Sequence, residues 1–131
     1  MKKHYIDIAK KWAFVFAYDI GWRDLDEVGD WLEALGEPRR KIREAQDLLT
    51  KWDKGFTKTK SRLRMSLVCI GKATDDAQWW DTLDHEIDHL QDDILKYYDV
   101  ESGTEEAAWL QGYIMRKIIQ VLKTDGYTWR R

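Results

Sequence analysis

The stretch RLRMSLVCIGKATDDAQWWDTLDHEIDHL, residues 62–90, decides the fold because its hydrophobic period changes halfway along. In residues 62–70, apolar side chains alternate with more polar ones, which predicts a β-strand with one face less buried than the other. We expect this strand to end at Gly71. Thr74, with the two aspartates that follow it, then begins a long helix that we expect to run to about Tyr98. A strand followed directly by a long helix indicates a mixed protein.

The remaining elements follow from the same signals. Residues 11–18 are aromatic and β-branched enough for a strand, although a helix starting near Ile6 is an alternative. Residues 55–61 are polar turn material or a short strand. Three further helices are predicted from about Asp24 to Gly36, from Pro38 to about Trp52, and from about Glu105 to Lys123. The order strand, helix, helix, strand, helix, helix predicts an α+β fold in a single domain, residues 1–131.

Composition excludes several classes of protein. A chain of 131 residues that is 44% hydrophobic and 35% charged can bury a core, which excludes a disordered tail. Cys69 is the only cysteine, so no internal disulfide can form. The longest apolar run, residues 12–18, is far too short to span a membrane. We therefore expect a cytoplasmic protein with no membrane partner.

Charge is divided unevenly along the chain, although the net charge is only −2. Residues 38–64 carry ten basic and three acidic side chains, and residues 75–106 carry one basic and twelve acidic side chains. A helix-turn-helix for DNA is disfavoured, because the first of the two early helices is rich in Asp and Glu and would be repelled by phosphates. We expect no nucleic-acid partner, and any cleft built from residues 75–106 should favour cations.

The segment that carries chemistry is His85, Glu86 and His89, an H-E-x-x-H pattern within the long predicted helix. Residues four apart on a helix project from one face about 6 Å apart along the axis, so both imidazoles can bind one Zn²⁺. Glu86 can then reach a water on that metal without being a ligand. The alternative is two surface histidines that contact nothing.

A catalytic zinc needs a third protein ligand, and the next predicted helix offers carboxylates. Glu105 is the first choice, with Glu106 second and Glu101 as a further candidate. The competing interpretation of Glu105 is a capping box that begins at Ser102. His4 is far away in sequence and is an unsuitable donor.

HEIDHL, the following segment with Glu105, Ala108, Trp109 and Leu110, and the preceding strand together resemble the gluzincin metallopeptidases in minimal form. The similarity covers about residues 55–122 and is greatest to the minigluzincins and to small HExxH proteins of phages and mobile elements. It implies a zincin-like fold, a small twisted sheet with an active-site helix and a following glutamate helix. It also implies zinc bound by His85, His89 and Glu105, with Glu86 as general base and acid.

The resemblance further implies an endopeptidase in which Glu86 activates a zinc-bound water and the strand at residues 63–70 binds extended substrate. The acidic segment adds the hypothesis that the peptide or protein substrate is basic. Two departures from the family are visible. Trp109 stands where larger gluzincins place a carboxylate, and no histidine or tyrosine at a suitable spacing is present to stabilise the transition state, which leaves Tyr113 and Arg116 as candidates.

A non-catalytic metal-binding interaction module on the same scaffold, of the phage accessory kind, is the alternative function. Eight tryptophans favour it, because Trp79, Trp80, Trp109 and Trp129 need not all fit inside so small a domain, and exposed aromatics mark partner surfaces. A structural helical domain that binds no metal is the third interpretation. The sequence leaves the oligomeric state open.

Overall fold

A computed structural model describes residues 1–127. The predicted α+β class is confirmed, and the elements follow the order ββααββαα. The first strand was not predicted, and of the two alternatives for residues 55–61 the short strand is the one formed. The strands are β1 (Lys2–Ile8), β2 (Trp12–Ile20), β3 (Gly55–Lys60) and β4 (Met65–Gly71), and the helices are α1 (Leu25–Ala34), α2 (Arg39–Leu49), α3 (Asp76–Tyr98) and α4 (Glu105–Thr124).

The four strands form one mixed sheet in the order β1-β2-β4-β3. The two central strands, β2 and β4, run parallel, while β1 and β3 each pair antiparallel with a central neighbour. The parallel pair requires a long crossover, and α1, α2 and β3 together supply it. This arrangement makes β1 and β3 the edge strands over the described part of the chain.

Helices cover both faces of the sheet. Side chains of α3 and α4 pack on one face against β1, β2 and β4, and side chains of α1 and α2 pack on the other. The prediction that one face of the strand at residues 62–70 is less buried is therefore wrong. Ser66 and Val68 on the α3 side are as fully buried as Leu67 and Cys69 on the α1 side, because β4 is a central strand in a three-layer structure.

The first strand replaces the helix considered near Ile6. Ile6 and Ile8 enter the core, and β1 joins β2 through Ala9 and Lys10, both in the left-handed region with φ of 50° and 61°. A turn of this kind usually carries Asn-Gly or Asp-Gly, so its sequence gave no hairpin signal. The Lys11 amide donates to the Ile8 carbonyl at 2.9 Å and closes the turn.

Two other boundaries also differ from the prediction. The alternating stretch begins with a 3-10 turn, Ser61–Leu63, and Arg64 takes a left-handed conformation before β4 starts at Met65. Helix α2 ends at Leu49, which leaves Trp52 outside the helix and 58% exposed.

The four tryptophans that were expected not all to fit inside the domain differ in burial. Trp79 and Trp80 are buried, Trp109 is half exposed, and Trp129 lies outside the described residues.

Gly55 allows the long helix α3 to lie close to the edge strand β3. A Cβ at this position would stand 2.6 Å from the Cys69 carbonyl oxygen and 3.0 Å from the Thr82 methyl group. No side chain fits such a gap, because real Cβ atoms do not approach backbone that closely. The glycine therefore permits the helix that carries the H-E-x-x-H pattern to run along the edge of the sheet.

Both long helices begin with a side-chain cap. The Asp75 carboxylate accepts from the Gln78 amide at 2.8 Å at the start of α3, and the Thr104 hydroxyl accepts from the Ala107 amide at 3.2 Å at the start of α4. The capping box proposed from Ser102 to Glu105 is therefore not formed, because Thr104 is the N-cap.

Among the helices over residues 1–127, none combines the length and the apolar character required to cross a bilayer.

Candidate functional site

The two histidines of the pattern meet on one face of α3. Their Nε2 atoms lie 3.1 Å apart, and the rings are perpendicular and exposed. Two nitrogens bound to one tetrahedral zinc stand about 3.3 Å apart, given Zn–N bonds of about 2.0–2.1 Å. The same separation also suits a hydrogen bond between two neutral imidazoles. The pair therefore fits two neighbouring positions of a zinc shell.

Glu86 is next to His85 in the chain but faces inward, and only 5% of its surface is exposed to solvent. The Thr57 hydroxyl on β3 donates to Glu86 Oε1 at 3.0 Å and shares its proton with the Glu86 carbonyl oxygen, also at 3.0 Å. The carboxylate is thus oriented by the edge strand. Both histidines, Glu86 and the strand segment around Thr57 line one open cleft of about 360 Å³.

A second polar bond joins α3 to β3 about two helical turns further along. The Thr59 hydroxyl donates to Asp93 Oδ2 at 2.6 Å, which leaves Ser66 to donate to Thr59 Oγ1 at 2.7 Å. Trp12 completes the chain, since its indole N–H donates to Ser66 Oγ at 3.0 Å. Asp93 also lines the cleft of the histidines. We call the two threonine–carboxylate contacts, Thr57–Glu86 and Thr59–Asp93, the polar seam.

Sequence reasoning missed Thr57, Thr59 and Asp93. The signal was present in Asp93, which continues the spacing of four from His85 and His89, and in TKTK, residues 57–60, whose alternation places both threonines on one side of a strand. An Asp two turns beyond His85 is about 12 Å further along the axis, so it cannot share one ion with both histidines. Its place in the fold is to tie α3 to β3.

Glu105 lies elsewhere. With Glu106 it lines a different cleft, formed by the β1–β2 turn, the end of α3 and the start of α4. The reason is the order of the layers: α3 packs over β3 and β4, whereas α4 packs against α3 and β1, so the start of α4 faces away from β3. Among residues 1–127, no group of three or more His, Cys, Asp or Glu is gathered closely enough to hold a metal ion.

The other histidine and the cysteine belong to different surroundings. His4 Nε2 lies 2.6 Å from Asp125 Oδ2, and the Tyr18 hydroxyl donates to the same oxygen at 2.6 Å. Burial opposes ionisation of Asp125, but these hydrogen bonds outweigh it and lower the pKa of the carboxyl. Burial, and then the charge of Glu86, raises the pKa of the Cys69 thiol, which lies in the core on the α1 side of β4.

Comparison with known proteins adds no assignment. A scan against protein-family models, a search of curated proteins and a search of solved structures all found no match.

Proposed function

We propose that this protein is a zinc-dependent peptidase of the minimal gluzincin type, in which His85 and His89 hold the metal and Glu86 is the general base and acid. The observation that supports it most is the pair of Nε2 atoms, 3.1 Å apart, next to a carboxylate and an edge strand. Zinc supplies such a site with a water acidic enough to lose a proton near neutral pH.

The chain's own groups have distinct tasks in this proposal. Glu86 receives the proton and passes it to the departing amine, and it is suited to this because the Thr57 hydroxyl occupies Oε1 and fixes the plane of the carboxylate. The outer edge of β3 is free of a neighbouring strand in the described chain, so a peptide can pair with it in extended form beside His85. The edge strand that would bind substrate is thus β3, not the strand at residues 63–70 suggested by the resemblance.

Charge on the exposed side of α3 bears on the substrate. Asp88 and Asp92 are exposed on the same helix as the histidines, within the strongly acidic segment. A peptide in the cleft of the histidines would lie between Lys58 of β3 and this acidic helix, whose carboxylates outnumber the lysine, so basic side chains are favoured. Profiling with a peptide library should show a preference for Lys or Arg, and acidic or indifferent subsites would contradict the substrate class alone.

The metal shell can be tested residue by residue. Purified protein is expected to bind one zinc by elemental analysis, and H85A or H89A should abolish this binding, while H4A serves as the matched histidine control and should retain it. In the described geometry Glu105 and Glu106 lie outside the shell, so E105Q and E106Q are expected to leave zinc affinity unchanged. A loss of affinity in E105Q would instead restore Glu105 as the third ligand.

Catalysis is tested at Glu86. E86Q should keep the metal and lose hydrolysis of unfolded protein substrates, and E33Q, the same change at an exposed glutamate of α1 on the other side of the sheet, is the control for a changed charge. Full activity in E86Q would refute the role of Glu86. Failure of wild type to cleave any member of a substrate panel would refute the peptidase.

A second candidate is the non-catalytic metal-binding interaction module. It is favoured by the ligand count, because catalytic zinc sites use three protein ligands and only two are brought together in residues 1–127. The two functions share the expected zinc binding and differ in turnover. Zinc that binds without cleavage of any substrate would support the module.

A further inference from the structure

A second cleft, of about 630 Å³, lies on the side of α3 away from the polar seam. It is bounded by the β1–β2 turn, by Leu95 and Tyr98 near the end of α3, and by the first two turns of α4. This volume lies within the range of small-molecule sites, which is about 300–1,000 Å³. We call it the aromatic cleft, because Trp12, Tyr98 and Trp109 line it.

Two of the aromatic walls are fixed before any ligand arrives. The Tyr98 hydroxyl donates to the Lys11 carbonyl at 2.6 Å and so ties the end of α3 to the β1–β2 turn. Trp12 is held by its hydrogen bond to Ser66 and packs against the edges of Tyr97 and Tyr98, with ring centroids 5.4 and 6.2 Å away. A preformed cleft loses little conformational entropy on binding.

The third wall is open to solvent. Trp109 is 51% exposed, and its ring packs on Tyr113 with centroids 5.1 Å apart. The two rings are tilted by 34°, so Tyr113 covers only part of the indole, which also lines the cleft. Large aromatics left in this state are typical of binding surfaces rather than of a core.

The charge around the cleft favours a cation. Glu105 and Glu106, both exposed, line it one turn before Trp109, so carboxylate and indole lie next to one another along α4. Lys11 is the one basic side chain in the lining, against these two carboxylates, and half of the lining comes from the strongly acidic segment 75–106. Aromatic faces and carboxylates together are the groups that attract an organic ammonium ion.

We infer that the aromatic cleft binds an organic cation, an ammonium group carried on an apolar body, with Glu105 and Glu106 as the counter-charges and Trp109 as the aromatic contact. The apolar body occupies the space between Leu95, Trp12 and Leu110. This inference does not depend on the proposed peptidase, because the aromatic cleft and the cleft of the histidines share no lining residue.

The test uses three probes of equal chain length and different charge: octylammonium, 1-octanol and octanoate. Binding to the full chain is followed by calorimetry and by tryptophan fluorescence, without added zinc. We expect octylammonium to bind at least about tenfold more tightly than octanoate, with octanol between them, and its affinity to fall as salt is added because charges at an exposed rim are screened.

Variants separate charge from packing. The double variant E105Q/E106Q should bring octylammonium to the affinity of octanol, and W109A should weaken both, while E101Q, an exposed glutamate outside the lining, should change neither. Circular dichroism shows that each variant is folded. Octanoate binding as tightly as octylammonium, no binding of any probe, or an unchanged preference in E105Q/E106Q would each overturn the inference.

Discussion

The two sides of α3 hold the helix in place by different means. Toward the sheet and α4, it presents the aliphatic stripe Leu83, Ile87, Leu90 and Ile94, all buried. Toward β3 it presents the polar seam, where Glu86 and Asp93 each accept a hydrogen bond from a threonine hydroxyl. Apolar contact is non-directional, whereas a hydrogen bond fixes distance and angle. The aliphatic side therefore stabilises the helix, and the polar seam determines where its histidines stand relative to the edge strand.

The largest effect is expected on the aliphatic side. L90A removes a side chain with no exposed surface and should lower the free energy of unfolding by about 2–5 kcal/mol, because the site loses apolar contact and retains a cavity. Urea denaturation measures the change. L63A, at a leucine that is 56% exposed, is the matched control and should change stability little. An equal loss in both variants would contradict the conclusion that buried apolar contact stabilises α3.

The second-largest loss of stability is expected at Thr59, in the polar seam. T59V keeps the shape of the side chain but leaves Asp93 without its donor and Ser66 without its acceptor, which should cost about 1–3 kcal/mol in unfolding free energy. T59S retains the hydroxyl and should recover most of the loss. If T59V and T59S were equally unstable, packing of the methyl group rather than the hydrogen bonds would explain the effect.

The Thr57 end sharpens the link between the polar seam and the candidate site. T57V should cost about 0.5–1.5 kcal/mol, since a half-buried hydrogen bond is lost and water can partly replace it. Because Thr57 orients Glu86, the variant should also reduce hydrolysis while zinc binding is unchanged. T57S should restore both properties, and normal activity in T57V would remove Thr57 from the site as a positioning residue.

The smallest change in stability is expected at the histidines themselves. H85A and H89A remove exposed rings and should alter the free energy of unfolding by less than about 0.5 kcal/mol without metal. With zinc at 100 times its dissociation constant, wild type should gain about 2.7 kcal/mol and the two variants should gain nothing. H4A should keep the zinc-dependent gain, and a gain that persists in H85A would contradict the metal site.

Much of the fold could be predicted from residues close together in sequence. The alternation before Gly71 and the stripe from Leu83 to Ile94 set β4 and α3, and the starts and ends of the helices were placed to within a few residues. The edge strands were the least predictable elements, since β1 was not predicted and residues 55–61 were left open between a turn and a short strand. In β1 only Ile6 and Ile8 are buried, and in β3 only Phe56 is, so neither strand has the apolar content by which strands are found.

The candidate site divides in the same way. The spacing of His85 and His89 placed both rings on one helical face, because a helix brings residues four apart together whatever surrounds it. Glu105 was sought near them because it begins the next helix. Its actual place depends on which strand that helix covers, and hydrophobic periodicity contains no information about strand order.

By itself, therefore, the sequence determined the α+β class, the pairing of two imidazoles on one helix and the acidity of residues 75–106, since each is a property of local geometry or composition. Only the tertiary structure decided that β3 lies beside those imidazoles, that Thr57 holds Glu86, and that Glu105 joins an aromatic cleft instead. These contacts join segments far apart in the chain, and they follow from how the layers bury their apolar faces.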